Sequence, residues 1–183
     1  MQSGDLGINE AVNFDLNAIF IAVPKTGTTS IRNQMREDRV FAIPSPHLNL
    51  REVRIGLNYH FMRQALEQNF SFPTNMDNML TTDQAQAKAS AFYDGAFKFG
   101  SVRNPWARVA SLYSRREGVP TADQMSFAAF CDNLRSASDS CRRPSLHMNQ
   151  VDWLIDDTGA IGVDFVLKLE DRDAGLAAIK EQT

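Results

Sequence analysis

The chain has 183 residues, of which 43% are hydrophobic and 22% are charged, and its formal net charge is −3. This composition is typical of a soluble globular protein with one hydrophobic core, so we expect a single domain over residues 1–183. The slight negative charge provides no general attraction to nucleic acid or to an anionic membrane, and neither partner is predicted.

The N-terminal residues and the cysteines bear on the cellular compartment. Residues 1–15 contain acids and lack the basic start and apolar stretch of a signal peptide. The longest strongly apolar run, residues 18–23, is too short to span a bilayer. We therefore expect a cytoplasmic protein. Cys131 and Cys141 are too few for a disulfide scaffold, and in that compartment two reduced thiols are favoured over a disulfide.

The first predicted unit is a strand, a loop and a helix. Residues 18–23, AIFIAV, form the continuous apolar run that is typical of a strand buried on both faces. A loop rich in small hydroxyl residues follows from Lys25, and residues 31–37 then suit a helix. This order predicts the start of a nucleotide-binding α/β unit.

The next segments predict one weak strand and two helices. Residues 40–43 are the strand candidate, and residues 49–68 suit a helix in which Gly56 would be the place for a break. Thr81 and Gln84 have the spacing of a capping box, which predicts that another helix begins there.

A second strand–helix unit follows. Residues 97–102, FKFGSV, are the strand, Asn104 suits a helix N-cap and Pro105 suits the first helical position. Apolar side chains at positions i, i+3, i+4 and i+7 predict one core-facing side of this helix, made of Trp106, Val109, Ala110 and Tyr113.

The remaining elements complete an alternating pattern. We predict helices near residues 126–136 and 148–156, a last strand from Val163 and a helix from Ala174. Strands that alternate with helices indicate a parallel sheet. The fold class predicted is therefore α/β, a P-loop-like three-layer fold in which helices flank a parallel β-sheet.

The loop after the first strand has the chemistry of an anion site. It consists of Lys25, Thr26, Gly27, Thr28, Thr29 and Ser30. The glycine permits a tight backbone path, and the amides that enter the helix point at one spot, where the helix dipole adds positive potential. The lysine adds a full charge and the hydroxyls add donors. The segment predicts a cradle for a terminal phosphate or sulfate group.

This loop differs from a Walker A motif, because its lysine precedes its single glycine instead of following a second one. A lysine-plus-backbone site without a metal fits better than a kinase-like site for ATP and Mg²⁺, which remains an alternative. No C-x-x-C spacing occurs and the three histidines are scattered, so no metal is predicted. The segment would also suit an ordinary strand–turn–helix corner with an exposed lysine.

A second anion site is indicated by Arg103 and Ser111. Arg103 ends the strand of residues 97–102, and Ser111 lies eight residues later (111 − 103), two turns into the next helix. A guanidinium fork and a hydroxyl along one side of a helix can bridge a small anion. Arg108 lies nearby, and the sequence leaves open whether it assists or is solvated.

Two segments carry a family resemblance. IFIAVPKTGTTSI and FKFGSVRNPWARVASLY, in this order, resemble the 5′-phosphosulfate loop and the 3′-phosphate motif of sulfotransferases that use PAPS (3′-phosphoadenosine 5′-phosphosulfate). The carbohydrate-type branch and its bacterial relatives are the most similar, and residues 150–171 also resemble that branch. The resemblance covers most of residues 18–171, except 57–92. It implies transfer of a sulfuryl group from PAPS to a hydroxyl or amine of a carbohydrate or other small-molecule acceptor, with PAP as product and no metal.

The resemblance also implies roles for individual residues. Lys25 would contact the phosphosulfate and its bridging oxygen, residues 26–30 would hold the 5′-phosphate, and Arg103 with Ser111 would hold the 3′-phosphate. Family members usually continue past the last strand into a segment that closes over the nucleotide and acceptor, whereas this sequence stops at Thr183. A shortened module that binds nucleotide without turnover is therefore a further alternative.

Sulfuryl transfer to a hydroxyl also needs a general base. His47 follows the strand candidate at residues 40–43, where the carbohydrate branch has a histidine base, so the resemblance implies His47. His60 is the second candidate, and His147 completes the set.

Overall fold

A computed structural model of the chain describes residues 11–35, 47–70, 81–115, 125–136 and 148–183. In these ranges four strands form one sheet in the order β1-β2-β3-β4. The strands are β1 Val12–Asn13, β2 Ala18–Ile21, β3 Phe97–Val102 and β4 Phe165–Lys168. The last three correspond to the three main strand predictions, which are confirmed, whereas the weak candidate at residues 40–43 lies outside the described residues.

The predicted parallel sheet is correct for β2, β3 and β4 but wrong at one edge, because β1 pairs antiparallel with β2. A tight turn joins the two strands. In it the amide of Leu16 donates to Asn13 Oδ1 at 2.8 Å, and Asn17 adopts a φ of 48°. Asparagine suits both roles, and such a turn reverses the chain within a few residues. β1 has only two residues, which are too few for a hydrophobic pattern to predict a strand.

Six helices occur in the described ranges: α1 Thr28–Met35, α2 Leu50–Phe70, α3 Thr82–Gly95, α4 Pro105–Arg115, α5 Phe127–Ser136 and α6 Arg172–Lys180. α2 continues through Gly56 without a break. The capping box of α3 is formed, since the amide of Gln84 donates to Thr81 Oγ1 and the amide of Thr81 donates to Gln84 Oε1.

The helix predicted near residues 148–156 is wrong. The segment contains one short 3₁₀ helix, Val151–Trp153, and then a turn in which Asp156 Oδ1 accepts the amide of Thr158 at 2.8 Å. Gly159 follows with a φ of 84°. An aspartate that bonds to the amide two residues on, together with a left-handed glycine, stabilises a turn instead of a continuing helix.

Helices cover both faces of the sheet, as predicted. Side chains alternate along β2, and all four of its residues are buried. Ile19 and Ile21 belong to a cluster with α2 and α3 that includes Val53, Leu57 and Ala89. Phe20 belongs to a second cluster with α1 and α6 that includes Ile31, Phe99, Leu167 and Ile179.

The core-facing side predicted for α4 is wrong in part. Trp106 is 82% exposed and Ala110 is also exposed, while Val109 and Tyr113 are half-buried. The buried positions are instead Arg108, at 7% exposure, and Leu112, at 2%. Hydrophobic periodicity could not indicate this orientation, because one of the two inward positions is occupied by an arginine.

Two further predictions concern the cysteines and the membrane. Cys131 is a half-buried free thiol, and Cys141 lies outside the described residues. In the part of the chain that the structure describes, no helix has both the length and the apolar character needed to cross a membrane.

Candidate active site

A polar cleft of about 290 Å³ lies beyond the carboxyl ends of β2 and β3. The described residues that line it are Lys25, Gly27, Thr28, Thr29, Ser30, His47, Arg103, Ser111 and Leu169. All except Leu169 are residues that the sequence singles out. Because loops at the carboxyl ends of parallel strands meet at one edge of the sheet, two motifs far apart in sequence reach the same cleft.

Thr26 is the one predicted loop residue that does not line the cleft. Its side chain is fully buried, and its Oγ1 donates to the carbonyl of Val23 at 2.8 Å. Since that bond uses the only hydroxyl proton of Thr26, the neighbouring Ser101 hydroxyl in β3 donates to Thr26 Oγ1. The Thr26 hydroxyl is therefore engaged within the protein, and the expectation that Thr26 takes part in holding the 5′-phosphate stays a prediction for its backbone. The hydroxyl fastens the loop to the sheet.

The backbone of the loop turns sharply before α1. Lys25 has a φ of 67° and Gly27 a φ of 79°, both in the left-handed region. The Gly27 carbonyl then accepts the amides of Ser30 and Ile31, which starts the helix. A lysine in this region costs about 1–2 kcal/mol relative to ordinary helical or extended backbone, so surrounding contacts must hold it there.

Two arginines from the second motif supply such contacts. Arg108 Nε donates to the carbonyl of Pro24 at 3.1 Å, and Arg103 Nη1 lies 3.5 Å from the carbonyl oxygen of Lys25. These carbonyls flank Lys25 on either side. The second motif therefore helps to set the backbone of the first.

A side chain at Gly27 would have to displace Leu169, besides adopting a left-handed conformation. A Cβ at this position would lie 2.5 Å from Leu169 Cδ1, closer than real Cβ contacts permit. Leu169 begins a short 3₁₀ helix directly after β4 and lines the cleft. The chain after the last strand thus closes one side of the site against the loop.

Arg103 is positioned by a side chain that mimics a β-bridge. The amide of Arg103 donates to Gln150 Oε1 at 2.8 Å, and Gln150 Nε2 donates to the carbonyl of Arg103 at 2.8 Å. Paired bonds to both backbone groups of one residue fix its orientation at the end of β3. The guanidinium therefore leaves the backbone at a defined point of the cleft.

The start of α4 is also fastened. The Asn104 side chain caps the helix, since its Oδ1 accepts the amides of Trp106 and Ala107 at 3.0 and 3.3 Å. The amide of Asn104 itself donates to Glu170 Oε1 at 2.8 Å. This hydrogen bond is the main reason that the pKa of Glu170 lies below its usual value. Glu170 has a structural role here, joining the end of β4 to the helix that carries Ser111.

His47 is held with one ring nitrogen against the main chain. Its Nδ1 lies 2.8 Å from the carbonyl oxygen of Ala22, and its ring meets Trp153 edge-on at 6.4 Å between centroids. A carbonyl only accepts, so in the neutral ring Nδ1 carries the proton and Nε2 the lone pair. That tautomer is the one required of a base acting through Nε2 at the cleft.

The other histidines are not brought to the cleft in the described residues. His60 lies on α2, where its ring stacks on Phe14 at 5.3 Å and its Nε2 contacts Gln64 at 3.0 Å. His147 lies outside the described residues.

The electrostatic character of the cleft is positive. Its charged lining side chains are those of Lys25 and Arg103, and no acid occurs among the described lining residues. α1 begins at Thr28 without an acidic residue in its first turn, so its amide groups and dipole add to the positive potential. The arrangement suits an anionic ligand. Among the described residues no cluster of His, Cys, Asp or Glu could hold a metal ion.

Comparison with known proteins gives one result. The model of the Sulfotransferase family matches residues 11–183, which is nearly the whole chain. The chain belongs to the sulfotransferase family. No curated protein and no solved structure matches it significantly. The family expected from the two sequence motifs is thereby confirmed.

Three residues that build this sulfotransferase cleft were not identified from the sequence. The sequence leaves the role of Arg108 open, indicates Gln150 only as part of a family-like segment and gives no signal for Leu169. None has a local signal for its role, because each acts through a contact with a distant part of the chain.

The role of Gly27 can be tested against a matched glycine. Gly159 has a similar φ of 84°, but nothing lies within 4 Å of a Cβ placed there. Gly159→Ala should cost about 1–2 kcal/mol of unfolding free energy, for the backbone alone. Gly27→Ala should cost at least about 1 kcal/mol more, because its new methyl overlaps Leu169. Urea unfolding measures both, and equal losses would show that Leu169 does not constrain the loop.

Proposed function

We propose that the protein transfers a sulfuryl group from PAPS to a hydroxyl or amine acceptor, a carbohydrate being the class proposed, within a P-loop-like single domain. One observation carries the proposal: the Lys25 loop and the Arg103–Ser111 pair line the same cleft. Two anion sites on one cleft match a nucleotide with phosphate groups at both ends of its ribose. The 3′-phosphate is the feature that separates PAPS from ATP.

The residues present suit this donor. Lys25, the amides at the start of α1 and the hydroxyls of residues 28–30 form the site for the 5′ end. Arg103 and Ser111 form the site for the 3′-phosphate, with Arg103 supplying a fork of charged donors. When bound, PAPS supplies an activated sulfuryl group with a good leaving group.

In this reaction the protein has to position the donor and the acceptor and to neutralise the charge that develops on the leaving group. An in-line transfer develops negative charge on the bridging oxygen of the leaving group, and Lys25 is the side chain proposed to neutralise it. His47 is proposed to accept the acceptor's proton at Nε2, with Nδ1 held by the Ala22 carbonyl. No metal is needed for either step in this proposal.

Thermal unfolding with nucleotides tests the donor. PAP at about 100 times its Kd should stabilise the protein by about 2.7 kcal/mol, because it binds the folded state alone. The unfolding temperature is measured with PAP, with ADP and with ATP plus Mg²⁺. Stabilisation by ATP and Mg²⁺ without any by PAP would contradict the proposal and favour a kinase-like enzyme.

The 3′-phosphate site is tested by Arg103→Ala. PAP binding should weaken by about 2 kcal/mol or more, since a charge-assisted contact is removed. Binding of adenosine 5′-phosphosulfate, which has no 3′-phosphate, should weaken much less, because only the long contact of Arg103 with the Lys25 carbonyl is lost. Calorimetry measures both ligands, and Arg54→Ala is a control at an exposed arginine outside the cleft. Equal losses for the two ligands would mean that Arg103 acts only through the backbone of Lys25.

The catalytic role is tested by Lys25→Met. Turnover should fall by about 10²–10³ in kcat, because one preorganised charge on the leaving group is lost. PAP affinity should fall only modestly, since the 3′-phosphate contacts remain. Slow hydrolysis of PAPS to PAP provides an assay that needs no acceptor. Equal turnover by wild type and variant would rule out catalysis by Lys25.

A further inference from the structure

Arg108 is a buried charge that the proposed chemistry does not use. It lies on α4 with 7% exposure and is not among the residues that line the donor cleft. No carboxylate of the described residues lies within ion-pair distance of it, and within those residues Nη2 has no hydrogen-bond partner. Burial lowers the pKa of the guanidinium. A charge buried in this way is costly, so its retention at an inward position needs a reason.

The contacts of Arg108 supply that reason. Nε donates to the carbonyl of Pro24 at 3.1 Å, and Nη1 lies 3.5 Å from the carbonyl oxygen of Met148. One side chain thus joins three parts of the chain: the loop after β2, the helix α4, and the segment that leads to Gln150. A leucine could fill the same space but could not hold a carbonyl.

The Pro24 carbonyl matters because of the residue that follows it. The Pro24–Lys25 peptide plane is one of the two that define the backbone of Lys25, whose φ is 67°. Rotation of this plane would release Lys25 towards ordinary backbone and move its side chain away from the cleft. Arg103 contacts the carbonyl on the other side of Lys25, but Arg103 lines the cleft and is therefore exposed to competition from a bound anion. Arg108 lies outside the cleft, so its hold does not depend on ligand.

We propose that Arg108 is a positioning residue for the donor loop: it holds the Pro24 carbonyl so that Lys25 keeps its left-handed conformation and presents its ammonium to the donor's 5′ end. This inference rests on the proposed function for the identity of the donor. Loss of Arg108 should therefore weaken the contacts with the 5′ end of the donor. The 3′-phosphate site should stay intact, because Gln150 holds Arg103.

The test compares Arg108→Met and Arg108→Lys with wild type, using adenosine 5′-phosphosulfate and adenosine 3′-monophosphate as probes in calorimetry. Arg108→Met should weaken the 5′-phosphosulfate by about tenfold or more, the loss typical of a charged hydrogen bond, and should leave the 3′-monophosphate within about twofold. Arg108→Lys should recover part of the loss, because an ammonium can still donate to the Pro24 carbonyl. Arg54→Met is the matched control, an exposed arginine that pairs with Asp157 at 3.0 Å.

Amide hydrogen exchange gives a readout that needs no ligand. In the ligand-free protein, the amides of Ser30 and Ile31, which donate to the Gly27 carbonyl of the loop, should exchange faster in Arg108→Met than in wild type, while those of β3 stay unchanged. Equal weakening of both probes, or unchanged exchange in the loop, would overturn the inference and leave Arg108 as a general packing residue. Failure of wild type to bind either probe or PAP, with faster loop exchange in the variant, would contradict the proposed function and support the loop-holding role.

Discussion

The candidate site depends on one strained residue. Lys25 occupies the left-handed region, which a side-chain-bearing residue keeps only when its surroundings fix it. Arg108 holds the carbonyl before it and Arg103 contacts the carbonyl after it. Leu169 occupies the space that a Cβ on Gly27, two residues after Lys25, would need. These side chains come from α4, from the end of β3 and from the end of β4, so the loop takes its form only when the parallel sheet and its flanking helices are assembled.

The same assembly accounts for the charge of the cleft. Parallel strands bring their carboxyl ends to one edge, where the start of α1 and the start of α4 also lie. Glu170, at the end of β4, accepts a hydrogen bond from the amide of Asn104 beside the second motif. The described lining thereby keeps two positive side chains, Lys25 and Arg103, around the cleft in which the donor nucleotide is proposed to bind.

The sequence predicts the strands, the loop and most of the lining, because these have local signals. An apolar run, a capping asparagine and an arginine–serine spacing can each be recognised in a stretch of about ten residues. The inward orientation of the Arg108 side chain and the burial of the Thr26 hydroxyl have no such signal, because both depend on partners elsewhere in the chain. The same reason explains the exposure of Trp106: periodicity predicts an apolar face, but tertiary contacts decide which face is buried.

A crystal structure with PAP would show whether one cleft holds both ends of the donor nucleotide. We expect the 5′-phosphate at Lys25 and the amides that open α1, and the 3′-phosphate between Arg103 and Ser111. The Arg108 contact to the Pro24 carbonyl should persist in the complex. PAP bound in the reverse orientation, or at a site remote from these residues, would show that Lys25 and Arg103 do not have the roles proposed for them.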